Sequence, residues 1–268
     1  MTLSYGYLAM GPFILPWVRR DKVRWLMDRY ADCRALYPNA EFSYVGHSNG
    51  TYLAARALED YPAARFRRIV FAGSVVRRDY DWRGRIAGAR RQVEEVMNYV
   101  ASADLVVAIF PNGFSHIRVM DLGGAGHCGF DDLPRSHGKR VSRVPIGPST
   151  SYQIDYVSGG HSAGIKESQW DEIAQFVVNG EAPDDANPDF VARQARWAIG
   201  AGSLPPLFLI LLAALLLPFL GLLFYGVAWA AGHLLAYVPL LRGASDILGM
   251  ILAAFVIFSL LKVVLTRL

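Results

Sequence analysis

Between Arg19 and Tyr37, apolar residues recur at Val23, Leu26, Met27, Tyr30 and Cys33, with polar and charged residues between them. That spacing predicts an amphipathic helix, stopped by Pro38-Asn39. Elsewhere the apolar positions come in short runs rich in β-branched and aromatic residues. Leu3–Tyr7, Glu41–Val45, Phe66–Val76, Val93–Val100, Arg118–Leu122 and Tyr152–Val157 read as strands, or strand ends, on this basis. Gly50–Leu58 follows the second of these with a helical pattern. Asp171–Val178 has apolar residues at Ile173, Ala174, Phe176 and Val177, which predicts another helix. The polar, arginine-rich stretch 77–92 reads as a small cap or loop. Strands alternating with helices imply an α/β fold with a mostly parallel sheet and helices on its faces.

The pattern changes near residue 180. "EAPDDANPDF", residues 181–190, holds two prolines and four acids and reads as the start of a linker over 181–197. From Trp197 to Leu241 there is no Asp, Glu, Lys or Arg. A second apolar run, Ile247–Leu265, is broken only by Lys262. A span of a bilayer with a core of about 30 Å needs about 20 apolar residues. The first run is therefore expected to cross over Leu204 to about Ala230, with a kink at Pro218, and the second to return. The expected domains are 1–180 globular, 181–197 linker and 198–268 a membrane-spanning hairpin. Arg193, Arg196, Lys262 and Arg267 flank the pair, so the rule that basic flanks stay inside places the globular part in the cytoplasm. His233, near the end of the first run, reads as a boundary residue.

Composition adds little to this division. The chain has 268 residues, is 53% hydrophobic and carries a formal net charge of +4. Its arginines are scattered without the interleaved aromatics of a nucleic-acid groove, so no nucleic acid is expected, and membrane lipid is the better partner. Cys33 and Cys128 form no CxxC pair, which suits a reducing compartment. No basic region precedes an apolar core at the N-terminus, which does not read as a signal peptide. No HExxH motif or carboxylate cluster suggests a metal, and no cofactor is expected.

The chemistry concentrates in "YVGHSNGTYLAARAL", residues 44–58. A strand runs into a helix with Ser48 between Gly46 and Gly50. Such a turn is tight and needs small neighbours, and it projects the serine hydroxyl above the sheet edge. The amide of Asn49, heading the helix, lies where a developing oxyanion is favoured. The segment resembles the nucleophile elbow of α/β-hydrolases, and "FRRIVFAGSVV" resembles the next strand of that fold. The resemblance covers roughly residues 3–180. It implies a serine nucleophile followed in chain order by an acid and then a histidine, acting on a small-molecule or lipid ester without a cofactor.

A serine hydroxyl needs a base to take its proton, and the base needs an acceptor to orient it. Asp104 follows the second strand after the elbow, where the resemblance puts the acid. Asp79 and Asp81 come too early, and Asp121 lies in a strand-like run. For the base, His161 in "SGGHSAGI" precedes a good final helix. His127 in "GGAGHCGF" precedes a polar loop and is expected, with His47, to support the site and not to act in it. His116 and His137 read as solvated loop residues, and Cys128 as an idle thiol. The sequence also departs from the resemblance. Only one strand and one helix have room before Ser48, and no His-Gly pair stands there to supply a second oxyanion amide. The expectation is a shortened hydrolase with leading strands missing. The alternative is a non-catalytic membrane scaffold or binding protein built on a degenerate hydrolase domain.

Overall fold

The computed structural model describes residues 15–115, 118–238 and 242–267; the strand expected at Leu3–Tyr7 and His116 lie outside them. The chain divides into two compact units, 15–206 and 207–267 among these residues.

The first unit is α/β. Its sheet has the order β1-β2-β3-β5-β4, with β1 Tyr44–His47, β2 Phe66–Ala72, β3 Val93–Ala101, β4 Val141–Ile146 and β5 Ser149–Val157. β1, β2, β3 and β5 are parallel, and β4 pairs antiparallel with β5 at the edge. Helices α1 (Pro16–Leu36), α2 (Asn49–Asp60), α3 (Trp82–Ile86), α4 (Leu105–Phe114), α5 (Ala125–Cys128), α6 (Trp170–Asn179) and α7 (Arg196–Ser203) connect and cover it.

A strand covered on both faces must be apolar at successive positions, because its side chains alternate between faces. β2 shows this directly. Ile69 and Phe71 enter a cluster with Ala54, Leu58, Trp82, Ile86 and Phe130, closed by Met27 and Tyr30 of α1. Val70 and Ala72 enter a second cluster with Met97, Tyr99, Ile154, Phe176 and Phe190. A buried ion pair ties the second layer to the sheet. Arg68 Nε donates to Glu95 Oε2 at 2.7 Å across β2 and β3, and its Nη1 donates to the Val177 and Val178 carbonyls of α6 at 3.2 Å. Cations are favoured there, at the negative end of the helix dipole.

Three expectations need correction. The run Arg118–Leu122 is not a strand: Arg118–Met120 forms a single 3-10 turn, and Asp121 follows it with φ +51°. β4 was not foreseen, and β2 ends at Ala72, four residues before the expected Val76. The acidic segment is not a free linker either. Asp185 Oδ1 accepts from the Arg140 and Val141 amides at 2.9 and 2.7 Å. Phe190 is buried and bridges to Val157, and the compact unit continues to Pro206.

The second unit is helical, with α8 (Pro205–Ala236) and α9 (Ser245–Arg267). Both exist as helices, but the pair expected to span a membrane is shown only in part. Among the described residues one stretch, Ala213–Ala236, is long and apolar enough to cross a bilayer; the apolar stretch in α9, Ser245–Ser259, is shorter. α8 runs helical through Pro218. The two helices approach closely, since a Cβ on Gly249 would lie 2.6 Å from the Ala228 carbonyl oxygen and 2.8 Å from Gly232 N. Close backbone approach through small residues is how helices pack without a hydrophobic driving force between them. His233 Nδ1 donates to the Trp229 carbonyl at 3.1 Å, one turn back.

Candidate functional site

The C-terminal ends of parallel strands are where an α/β sheet collects its ligands. Here β1 leads to Ser48, β2 to Gly73, β3 to Asp104 and β5 to His161.

Ser48 sits between β1 and α2 with φ +53° and ψ −121°, a conformation non-glycine residues rarely adopt. Its amide donates to the Ala72 carbonyl at 3.0 Å, extending the β1–β2 ladder by one bond. Its own carbonyl accepts from Thr51 N at 3.0 Å and Thr51 Oγ1 at 2.7 Å. These bonds hold the strained turn. The flanking glycines differ in necessity. A Cβ on Gly46 would fall 2.7 Å from Tyr44 Cε1 and 3.1 Å from the Gly50 backbone, so no side chain fits. A Cβ on Gly50 would meet only the Tyr44 hydroxyl, at 3.4 Å. That hydroxyl instead donates to the Gly50 carbonyl at 2.8 Å and staples the turn from the strand side. Asn49 is the first residue of α2, which places its amide at the positive end of the helix dipole.

Asp104 is fully buried and serves two partners. Oδ1 caps α4 by accepting from Val107 N at 2.9 Å, and Oδ2 accepts from His161 Nδ1 at 2.9 Å. The cap fixes the carboxylate, and the carboxylate fixes the imidazole with its proton on Nδ1. Nε2 is then the basic nitrogen, able to take a proton from a neighbouring hydroxyl. His161 lies on Gly73, a contact the sequence reading missed. Gly73 has φ +55°, and a Cβ there would fall 2.7 Å from the His161 carbonyl oxygen, 2.8 Å from Cε1 and 2.9 Å from Nδ1. The only prior signal was a glycine just beyond a strand, which is common.

His47 and His161 rings are 4.8 Å apart. His47 Nε2 donates to the His161 carbonyl at 3.2 Å and lies 3.4 Å from Ser162 Oγ. Burial, and then the neighbouring His161, lowers the His47 pKa below its ordinary value. A neutral ring suits this donor role. His127 is placed elsewhere. It is 3% exposed and its Nδ1 accepts from Gln194 Nε2 at 2.9 Å. Burial lowers its pKa too. The rival acids are also engaged: Asp79 with Arg77, Asp81 capping α3 at Gly84 N, and Asp121 with Arg56 and Tyr52. His137 is exposed. Cys128 is partly buried, which raises its thiol pKa and makes it a poor nucleophile.

Among the described residues no hydrogen bond joins Ser48 Oγ to His161, and no group of His, Cys, Asp or Glu has the arrangement to hold a metal. A cavity of about 220 Å³ opens between α2 and the segment after β2, lined by Arg56, Glu59, Arg77, Asp79 and Asp121 among others. Ser48, Asp104 and His161 do not line it, and its charges largely pair with one another. Comparison with known proteins returned no matching family model, no similar curated protein and no similar solved structure.

Proposed function

We propose that the protein is a membrane-anchored serine hydrolase of the α/β-hydrolase class that cleaves a carboxylic ester or related acyl bond. The observation that carries this reading is the 2.9 Å bond between buried Asp104 and His161 Nδ1, at the sheet end where Ser48 occupies a strained strand-to-helix turn. In this reading Ser48 Oγ attacks the acyl carbon. His161 Nε2 takes its proton and later gives it to the leaving group. Asp104 holds the imidazole in that tautomer, and the Asn49 amide stabilises the oxyanion. Ser48 and His161 close to hydrogen-bond distance when substrate is bound, as sites without ligand are commonly looser. The apolar stretch Ala213–Ala236 anchors the enzyme, α9 completes a second span, and the hydrolase unit lies on the cytoplasmic side.

The rival is a non-catalytic membrane scaffold or binding protein built on a degenerate hydrolase domain. The missing Ser48–His161 hydrogen bond favours it. Hydrolysis of a 4-nitrophenyl acyl ester series by the detergent-solubilised protein separates the two. Turnover abolished by both Ser48→Ala and His161→Ala supports the enzyme, whereas turnover that neither variant lowers, or none in the wild type, supports the rival.

A further inference from the structure

His161 stands on a loop and not within a helix or strand. The loop leaves β5 at Val157. Its near side is laced to the segment after β3. Ser102 N donates to the Val157 carbonyl at 2.8 Å, Ala103 N to the Gly159 carbonyl at 2.9 Å, and Gly159 N to Ser102 Oγ at 3.1 Å. Its far side closes in the 3-10 turn Ala163–Ile165, where a Cβ on Gly164 would fall 2.6 Å from Tyr99 Cβ. Between these anchors two described side chains hydrogen-bond His161 itself. Asp104 accepts from its ring Nδ1 at 2.9 Å, and His47 Nε2 donates to its carbonyl at 3.2 Å.

The bond from His47 has one possible direction. A carbonyl only accepts, so Nε2 carries the proton. The donor is also rigidly mounted. His47 is the last residue of β1, in register with Ala72 of β2, and the next amide, Ser48 N, donates to the Ala72 carbonyl at 3.0 Å. Residues 47 and 48 therefore share one sheet anchor. The two bonds to His161 do different things. A bond at Nδ1 alone leaves the imidazole able to pivot about it, which swings Nε2 relative to Ser48. Fixing the carbonyl as well removes that freedom. Gly73 leaves room for the arrangement, since a Cβ there would fall 2.7 Å from the same carbonyl oxygen.

We infer that His47 is a positioning residue: by hydrogen-bonding the His161 carbonyl it ties the base to the strand that carries the nucleophile, so that β1 sets the spacing of Ser48 and His161. The inference rests on the reading of Ser48 as nucleophile and His161 as base. His47 acts through His161 and takes no proton in the reaction. What the site needs from it is an N–H at the right reach, not an imidazole as such. Glutamine supplies that N–H, because its Nε2 stands where the histidine Nε2 does. Methionine has the same length without a donor, and asparagine has a donor that falls short.

The test measures the rate of fluorophosphonate labelling of the full chain in detergent for the wild type, His47→Gln, His47→Met and His47→Asn, beside their thermal melts. A misplaced base costs up to about 10²-fold in rate. The expected result is labelling about 10²-fold slower in the Met and Asn variants, with cooperative melts, and within about ten-fold of the wild type in His47→Gln. The downfield proton resonance of the Asp104–His161 bond should shift in the Met and Asn variants and return in His47→Gln, which a general loss of stability would not produce. Wild-type rates in either folded Met or Asn variant overturn the inference, and so does a Gln variant as slow as Met, because the donor would then not be what matters. Both outcomes leave the hydrolase reading intact if wild-type labelling lies on Ser48 and is lost in His161→Ala. A wild type that is not labelled on Ser48, or whose labelling survives His161→Ala, overturns that reading and the inference with it.

Discussion

Gly73→Ala removes no functional group, yet it is expected to disable the site. The new Cβ would fall 2.7 Å from the His161 carbonyl oxygen and 2.8 and 2.9 Å from ring atoms Cε1 and Nδ1. Ordinary contact begins near 3.5 Å, so the histidine must retreat by roughly 0.6–0.8 Å. Nδ1 now sits 2.9 Å from Asp104 Oδ2. A retreat of that size along the bond would stretch it to about 3.5 Å, past useful hydrogen-bond range. The φ of +55° adds strain on the order of 1–2 kcal/mol for any residue with a Cβ. The cost in stability is therefore about 1–3 kcal/mol, and general-base assistance worth about 10²–10⁴-fold in rate is lost. The assay is the second-order rate of fluorophosphonate labelling, read beside the thermal melt. Labelling at the wild-type rate in a folded Gly73→Ala protein would refute the argument, because the site would then not need His161 where it lies.

Asp104→Asn keeps the α4 cap but presents an amide N–H to His161 Nδ1, which favours the wrong tautomer. Labelling should fall by about 10³–10⁴-fold with the fold intact, and imidazole ¹⁵N shifts should show the proton moved to Nε2. Asp155 gives a pH signature. Burial raises its pKa from 3.8 to about 6, outweighing Arg135 at 3.1 Å. With the folded pKa above the unfolded one, its contribution is full below about pH 4 and is lost as pH rises through 6. That is a loss of up to about 3 kcal/mol, and Asp155→Asn should flatten this part of the stability profile in denaturant titrations at pH 4 and 7. Glu95→Gln leaves the Arg68 guanidinium, 8% exposed, without its carboxylate. Unfolding should become easier by about 1–3 kcal/mol, with little change in labelling rate.

The helices and strands that carry the site were legible because each rested on a strong local pattern. β2 reads as a buried strand since both of its faces are covered, and α1 reads as a helix from one apolar stripe. Ser48 stood out through Gly46, whose lack of a Cβ the turn requires. Choosing Asp104 rested on its place after the second strand past the elbow, as the resemblance implies, and choosing His161 on the helix that follows it; the structure brings those two side chains together. What was hidden depends on tertiary partners. β4 contains Pro145 and alternates with polar residues, and a proline is tolerated there because the strand lies at an edge. The run after Asp104 is apolar all round and gave no helical stripe, yet it folds as α4 under the Asp104 cap. The acidic segment looked solvated, but Asp185 accepts two amides at the start of β4. Nothing local to Gly73 says that an imidazole 88 residues later will rest on it.

The most direct measurement of the central claim is the site of fluorophosphonate attachment on the full chain, mapped by mass spectrometry of its peptides. The expected adduct lies on Ser48 alone, is absent in Ser48→Ala, and forms far more slowly in His161→Ala and Asp104→Asn. An adduct on another serine, or labelling of Ser48 that is indifferent to His161 and Asp104, would contradict the claim that these three residues form one catalytic unit.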